Sequence, residues 1–317
     1  MSRSGPAEVR FLIGGQARSG TTLVQRLCCE LAPVWVPPET HFWFSAEALS
    51  NQFGFPLRGE DRLSAAEWIA RDLAERGIEL RVADLTERMA GHNRRIGLWT
   101  IFESVVAALS PSSRQVLGEK TPQHLFWWEH LSNAVPGLRF VVIVRDPRAV
   151  LRSHRSVAWG ETDAYALAER WLAYQRAAAD AHRLLGPDRV LVLRYEDVVL
   201  DAEGARSQIA RLLEVPDGVR PLTLEVLGSH PLFPARETWK SRALEPIEAD
   251  TRSAEGDVPV TDVGIIDAIC GSLMETLGYQ TGAAGEVAPP EGVSRDRVAA
   301  FRRWHAAVLD SVDLAVY

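Results

Sequence analysis

The first apolar run of the chain ends in a glycine-bearing turn with the residue types of a phosphate-binding loop. The turn and the start of the helical pattern after it are Gly15-Gln16-Ala17-Arg18-Ser19-Gly20-Thr21-Thr22. Gly15 and Gly20 have the spacing of a Walker loop, but Thr21 stands where that loop has its lysine. The cation of the turn is Arg18 instead. Because a helix N-terminus can bind phosphate through backbone N–H groups alone, we expect a nucleotide whose charged tail is not a triphosphate.

A second segment places an arginine at the end of another buried strand. Residues 139–144 form a short β-branched run that is typical of a strand in a parallel sheet. Asp146 has the position of a helix N-cap, and Pro147 that of a first helical residue. Arg145 is therefore expected at the carboxyl end of a strand, where open α/β sheets bind their ligands.

These two segments resemble the cofactor motifs of the sulfotransferases that use 3′-phosphoadenosine 5′-phosphosulfate (PAPS). The resemblance rests on residues 18–22 and 145–153. A third segment, Leu193-Arg194-Tyr195-Glu196-Asp197, is similar to the family segment that closes a later strand. The three segments follow one another in the family order. The resemblance implies a P-loop-type α/β enzyme that moves a sulfuryl group from PAPS to a hydroxyl and leaves 3′-phosphoadenosine 5′-phosphate (PAP).

The resemblance also implies roles for the cofactor-binding residues. Arg18 is expected to stabilise the leaving group on the 5′-phosphate side, together with Ser19, Gly20, Thr21 and Thr22. Arg145 and Ser153 are expected to hold the 3′-phosphate, which a guanidinium fork can bind bidentately. Tyr195 resembles a family tyrosine near the adenine, or is a core residue. A loosely similar late segment, more simply explained as unrelated to the cofactor, contains Lys240 and Arg242.

The general base is where this sequence departs from the commoner family pattern. Many cytosolic members have a histidine in a Lys-Thr-His segment, whereas this chain has Pro122 after Lys120-Thr121. Lys120 remains as a group that could stabilise the bridging oxygen, and His124 lies beyond the matching position. Histidine catalysis at position 122 is therefore excluded.

The segment Pro38-Glu39-Thr40-His41 offers a carboxylate instead. It resembles the Glu-Thr segment of tyrosylprotein sulfotransferases, in which the glutamate is the base, and this implies that Glu39 is the base. We expect burial among aromatic residues to raise its proton affinity, and His41 is a rival base. The many indoles of the chain fill the core by default, or form an apolar acceptor site for a small hydroxylated natural product, lipid or carbohydrate.

Composition limits the class of protein. The chain has 317 residues, 46% of them hydrophobic, and a net charge of −7 that argues against a nucleic-acid partner. The local positive charge that a nucleotide needs is supplied by Arg145, Arg148, Arg152 and Arg155, of which we expect Arg148 and Arg155 to be solvated. No apolar run has membrane-spanning length, and three cysteines form neither a disulfide framework nor a metal-ligand pattern. We expect a cytoplasmic protein without a metal ion.

The elements that position these residues follow from hydrophobic patterning. We expect strands at 9–14, 115–118, 140–144 and 190–195 in a parallel sheet flanked by helices. Residues 1–280 are predicted to form the main domain, with a strandless helical insertion at about 45–112. A linker at 281–292 precedes a C-terminal helix at 293–317, whose apolar stripe docks on its own domain or on a second subunit of a homodimer. The stripe consists of Val298, Phe301, Trp304, Val308 and Val312.

Two other functions compete with sulfuryl transfer. A small-molecule kinase on the same architecture would need the Walker lysine and a Mg²⁺-binding carboxylate at a strand end, where Asp146 is a helix cap instead. A nucleotide-binding regulator would leave Arg18, Lys120 and Glu39 without a joint purpose. The sequence therefore favours a sulfotransferase.

Overall fold

A central parallel sheet carries the segments that the sequence singles out. The structure, a computed structural model, describes residues 8–92, 95–111, 113–216, 221–223, 227, 231–247, 256–282 and 287–310. Its strands are β1 (Glu8–Gly14), β2 (Val34–Trp35), β3 (Leu57–Arg58), β4 (Arg95–Ile96), β5 (Val116–Glu119), β6 (Arg139–Val144) and β7 (Val190–Arg194). The five-stranded sheet has the order β2-β5-β1-β6-β7, and all its pairs are parallel. The α/β fold predicted from the sequence is confirmed.

The register of the strands brings their carboxyl ends to one edge of the sheet. Leu12 of β1 pairs with Glu119 of β5, and Gly14 pairs with Val142 of β6. Val144 pairs with Arg194 where β6 and β7 end together. Because these parallel strands end near one another, the residues that follow them lie close together at the carboxyl edge of the sheet.

The helices are α1 (Thr21–Glu30), α2 (Phe42–Phe53), α3 (Arg62–Glu75), α4 (Val82–Ala90), α5 (Leu98–Ala108), α6 (Trp128–Ala134), α7 (Pro147–Arg155), α8 (Ala164–Leu185), α9 (Tyr195–Leu200), α10 (Ala202–Leu212), α11 (Val260–Thr276) and α12 (Gly292–Asp310). Short 3₁₀ helices occur at Gly59–Asp61, Pro122–Trp127 and Thr238–Leu244. The predicted cap of α7 is confirmed, since the Asp146 carboxylate accepts a hydrogen bond of 2.9 Å from the Arg148 N–H. Helices α1, α5, α8 and α10 pack on the sheet and form the main core with it.

Two expectations about strands differ from the structure. Residues 45–112 were predicted to be strandless, but β3 and β4 form an antiparallel pair within them. Strand β2, at the edge of the main sheet, was not expected at all. All three strands are two residues long, which is too short to produce an alternating pattern.

Helix α12 docks on its own chain. Its buried side chains, Val298, Phe301 and Val308, lie on the side that packs against α8 and the 3₁₀ helix Pro122–Trp127. Of the two alternatives for this helix, the structure shows docking on its own domain. Residues 283–286 of the predicted linker and Val312 of the predicted apolar stripe lie outside the described residues.

The three cysteines are unpaired and buried. Among the described residues, none of the helices combines the length and the apolar character that a membrane span requires.

Candidate active site

A cleft of about 950 Å³ opens at the carboxyl edge of the sheet. Its lining contains most of the residues that the sequence singled out: Arg18, Gly20, Thr21, Thr22, Glu39, Arg145, Ser153 and Tyr195. The loops after β1, β2, β6 and β7 and the helix α7 each contribute to this set. The late segment 238–244 contributes Lys240 and Arg242, so residues that looked unrelated in the sequence share the cleft.

The turn after β1 has a backbone that suits an anion. Gly15 has φ +135°, and a Cβ there would lie 2.4 Å from the Ile143 carbonyl oxygen, so a larger residue does not fit. Gly20, with φ +104°, is the N-terminal boundary of α1, which has no side-chain cap hydrogen bond. Arg18 is also left-handed at φ +70°. Left-handed residues alternate here with others before an uncapped helix, an arrangement that turns N–H groups toward an anion.

Arg18 joins the two predicted cofactor motifs. Its Nε donates a hydrogen bond of 3.0 Å to Ser153 Oγ, and its Nη1 donates one of 3.3 Å to the Trp239 carbonyl. Arg145 Nη1 in turn donates to the Arg18 carbonyl at 3.3 Å. Burial, and then the nearby Arg145 charge, lower the pKa of Arg18. Two guanidinium charges that disfavour each other in this way favour a ligand with negative charge.

The backbone and the side chain of Arg145 each contact an aromatic residue. Trp171 Nε1 donates a hydrogen bond of 2.9 Å to the Arg145 carbonyl. The Arg145 guanidinium lies 4.1 Å from the centre of the Tyr195 ring, a cation–π distance. Tyr195 also packs so closely on the loop that a Cβ at Gly20 would lie 2.6 Å from its Cδ2. The tyrosine is therefore within reach of both motifs.

Glu39 lies between two lysines. Lys240 Nζ is 2.6 Å from Glu39 Oε1, Lys120 Nζ contacts the same oxygen, and His41 Nε2 is 3.4 Å from Oε2. Lys120 is fully buried and does not line the cleft, whereas the Glu39 side chain remains 12% exposed. Burial acts to raise the pKa of Glu39, but Lys120, His41 and Lys240 outweigh it and hold that pKa well below its usual range.

The expected direction of the Glu39 shift was therefore wrong. Neighbouring aromatic residues were expected to raise its proton affinity, but the groups that contact its carboxylate are cations. Burial lowers the pKa of Lys120 to about 8, against the opposing effect of Glu39. The pKa of Lys240 is raised, since Glu39 and Glu237 outweigh its burial.

Glu119, the last residue of β5, holds the loop after β2, which contains Glu39 and Thr40. Its Oε1 accepts hydrogen bonds from the Thr40 N–H at 3.0 Å and from the Thr121 hydroxyl at 2.6 Å. His124 Nδ1 lies 2.7 Å from Oε2, and both side chains are fully buried. Burial opposes the charge of Glu119, but His124 and these hydrogen bonds lower its pKa to about 2. His124 thus contacts Glu119 and does not line the cleft, whereas the rival base His41 does.

Sequence reasoning overlooked Glu119 and discounted Lys240. Glu119 directly precedes Lys120, and a carboxylate at the end of an apolar strand is itself a signal of a buried polar partner. Lys240 follows Trp239, whose ring lies 5.8 Å from that of Trp159 in the lining of the cleft.

Two further arginines have structural partners. Arg148 was expected to be solvated, but it is buried and its Nη2 lies 2.7 Å from Asp146 Oδ2. The charge of Asp146 explains why, since a buried guanidinium needs a paired carboxylate. Arg155 is exposed, as expected, and its Nη2 lies 2.6 Å from Asp262 Oδ2. Over the described part of the chain, no three His, Cys, Asp or Glu side chains are arranged to hold a metal ion.

Comparison with known proteins gives a family and a fold. The model of the family described as "Sulfotransferase family" matches residues 11–218. The sulfotransferase domain from the curacin biosynthetic pathway has 18% identity and a TM-score of 0.52, covering 88% of this chain and 100% of that domain. At this identity the likeness concerns the fold. Comparison with curated proteins found no match.

Two bacterial sulfotransferase structures are less similar. That of STF9 from Mycobacterium avium has 14% identity and a TM-score of 0.47, covering 87% of this chain and 79% of that one. That from Alicyclobacillus acidocaldarius has 15% identity and a TM-score of 0.46, covering 88% and 99%. The family match does not favour the kinase alternative.

Proposed function

The chain belongs to the sulfotransferase family, and from this we propose that it transfers a sulfuryl group from PAPS to a hydroxyl of a small organic acceptor. We infer an acceptor with an apolar part, such as a natural product, a lipid or a carbohydrate derivative. The hydrogen bond of 3.0 Å between Arg18 and Ser153 carries the proposal. It joins the loop after β1 to helix α7 within the cleft, so that cations from both motifs can face one nucleotide with phosphate groups at its 5′ and 3′ positions.

The residues present fit such a nucleotide. Ser19 Oγ is buried and, among the described residues, has no hydrogen-bond partner, as expected of a donor whose acceptor is a ligand. Also within the described chain, no carboxylate forms an ion pair with Arg18. Arg18 and residues 19–22 would hold the 5′-phosphate side, Arg145 and Ser153 would hold the 3′-phosphate, and Tyr195 would lie near the adenine. The cleft volume of about 950 Å³ exceeds what a nucleotide needs and leaves room for an acceptor.

PAPS, when bound, supplies a sulfuryl group that an acceptor oxygen takes by in-line displacement. Arg18 stabilises the charge that grows on the leaving phosphate, because a fixed cation costs little reorganisation. Lys120, which pairs with Glu39, adds a positive charge to that of Arg18. Glu39 accepts the proton of the acceptor hydroxyl, since it lines the cleft and stands in the segment that resembles the one carrying the base in tyrosylprotein sulfotransferases.

The two lysines determine how basic Glu39 is. Paired with Lys120 and Lys240, its carboxylate is ionised and weakly basic. An anion in the cleft competes with Glu39 for Lys240, which lines the same space. Each cation that leaves Glu39 raises its pKa, so the same anion that draws Lys240 away makes Glu39 a stronger base.

An acceptor screen tests the proposed function. The protein is incubated with PAPS and hydroxylated natural products, lipids and sugars, and the products are examined for a mass gain of one sulfuryl group. We expect a gain on an acceptor that combines a hydroxyl with an apolar part, and a much slower gain when Arg18→Ala replaces the wild type. In parallel incubations with a nucleoside triphosphate in place of PAPS, a gain of one phosphoryl group would instead identify a kinase.

A further inference from the structure

Helix α12 lies beyond the residues matched by the family and is joined to the protein by charged contacts as well as apolar ones. Arg297 Nη1 lies 2.6 Å from Glu161 Oε1, and Arg170 Nη2 lies 3.2 Å from the other oxygen of this carboxylate. Glu161 is buried between them. A buried carboxylate with two guanidinium partners is held firmly in place, and here one of the two comes from α12.

The backbone of Glu161 is in turn joined to His154. The Glu161 N–H donates a hydrogen bond of 3.0 Å to His154 Nδ1. The turn between them is tight, since a Cβ at Gly160 would lie 1.9 Å from the His154 carbonyl oxygen. Burial lowers the pKa of His154 to about 4, so its ring is neutral at pH 7. Because Nδ1 accepts, the proton of the neutral ring is on Nε2.

His154 then reaches the phosphate loop. Its Nε2 lies 3.1 Å from the carbonyl oxygen of Ala17, to which it donates. The carbonyl and the N–H of one trans peptide unit point in opposite directions. Fixing the Ala17 carbonyl on His154 therefore turns the Arg18 N–H away from His154 and supports the left-handed conformation of Arg18. Arg18 is the residue on which the proposed nucleotide site depends most.

We propose that His154, Glu161 and Arg297 are positioning residues, through which helix α12 holds the phosphate loop in its nucleotide-binding conformation. The inference rests on the proposed function, because the nucleotide bound is the one assigned there. It gives the C-terminal helix a function that its apolar docking does not require. Deletion of the charged contact is expected to weaken nucleotide binding even when α12 stays docked.

Two matched pairs of variants test this, with the affinity for PAP measured by calorimetry on the full chain. Arg297→Gln removes the contact to Glu161, whereas Arg302→Gln removes an ion pair of similar length but greater exposure, between α12 and Glu169 of α8, that does not lead to His154. We expect Arg297→Gln to weaken PAP binding about fivefold, Arg297→Lys to restore most of it, and Arg302→Gln to change it less than twofold.

The second pair of variants separates the hydrogen bond of His154 Nε2 from that of His154 Nδ1. His154→Gln can keep a donor near Ala17, whereas His154→Asn can keep an acceptor near the Glu161 N–H. We expect His154→Asn to weaken PAP binding about tenfold and His154→Gln to weaken it less, while both lower the melting temperature similarly. If His154 had a purely structural role, the loss of PAP affinity in each variant would follow its loss of stability.

The outcomes are distinguishable. If the wild type binds PAP and Arg297→Gln binds it as tightly as Arg302→Gln does, the positioning role is refuted and the proposed function stands. The same holds if His154→Asn binds PAP as tightly as His154→Gln. If the wild type itself fails to bind PAP, the proposed function is refuted and the inference falls with it.

Discussion

Lys240 Nζ lies 2.6 Å from Glu39 Oε1, although the two residues are 201 positions apart. This contact joins the late segment 238–244 to the loop after β2, and both residues line the cleft. Lys240 is thus a cation beside the carboxylate proposed as the base, and an anion bound in the cleft can draw it away from that carboxylate. The first two predictions follow from this pair.

Replacing Glu39 with glutamine keeps the shape of the side chain and removes its basicity. We expect turnover to fall by about 10²-fold or more, the usual contribution of a general base, while PAP affinity stays near that of the wild type. Glu237→Gln is the matched control, because Glu237 contacts the same Lys240 at 2.7 Å. Near-wild-type turnover in Glu39→Gln, together with an inactive His41→Ala, would make His41 the base.

Lys240 should determine the pH below which activity is lost. The pKa of Glu39 is held low in the folded protein, so its base form persists as the pH falls to its lowered value and is lost below it. Lys240→Met removes one cause of this lowering, and we expect the acidic limb of the kcat/KM profile to move to higher pH. Lys240→Arg keeps the charge and should leave the limb in place. An acidic limb that does not move in Lys240→Met would show that another group titrates.

Arg145 should confer the preference for a 3′-phosphate. We expect wild-type protein to bind PAP more tightly than adenosine 5′-monophosphate, and Arg145→Ala to lose about 1.5–3 kcal/mol of PAP binding, as for a hydrogen bond to a charged group. Calorimetry with both nucleotides measures this. Arg155→Ala, which breaks a contact to Asp262 outside the cleft lining, is the control. Equal wild-type affinity for the two nucleotides would remove Arg145 from the 3′-phosphate site.

Arg18 should matter more for turnover than for binding. The charge that it faces grows as the leaving phosphate forms, so Arg18→Ala should lower kcat by more than it raises the Kd for PAP. Arg18→Lys keeps the charge but loses the Nε hydrogen bond to Ser153, and we expect intermediate turnover. Single-turnover kinetics and calorimetry give the two quantities. Equal losses in both would indicate a role in uniform binding alone.

Glu119 should contribute to stability in a pH-dependent way. Its pKa is lowered to about 2, so its contribution is complete above the unfolded value, about 4.3, and is lost as the pH falls toward 2. Glu119→Gln should lower the free energy of unfolding at pH 7 by about 1–3 kcal/mol. The difference from the wild type should shrink in acid. Denaturant titrations at several pH values test this, with the exposed Glu87→Gln as control.

The local parts of the site were predictable, because neighbouring residues specify them. The apolar run of β6, the Asp146 cap and Pro147 together fix where Arg145 emerges. The loop before α1 is likewise a local pattern of glycines. Such features need no knowledge of distant contacts.

The electrostatics of the site were not predictable, because they depend on residues far apart in the chain. The pKa of Glu39 is lowered by Lys120 and Lys240, which are 81 and 201 positions away. Aromatic neighbours in the sequence indicated the opposite direction. Arg148 was expected in solvent although its neighbour Asp146 already offered a partner, and the fold adds a distant carboxylate, that of Asp267, at 3.6 Å.

The docking of α12 also sets an order of events during synthesis on the ribosome. Arg302 contacts Glu169, which was made 133 residues earlier, so α8 leaves the ribosome long before its cover does. Until then the surface that Phe301 and Val308 later bury faces water, at a stage when apolar surface promotes aggregation. A nascent chain stalled before residue 292 should therefore be a better chaperone client than the full chain, because the side of its longest helix that α12 covers is still exposed.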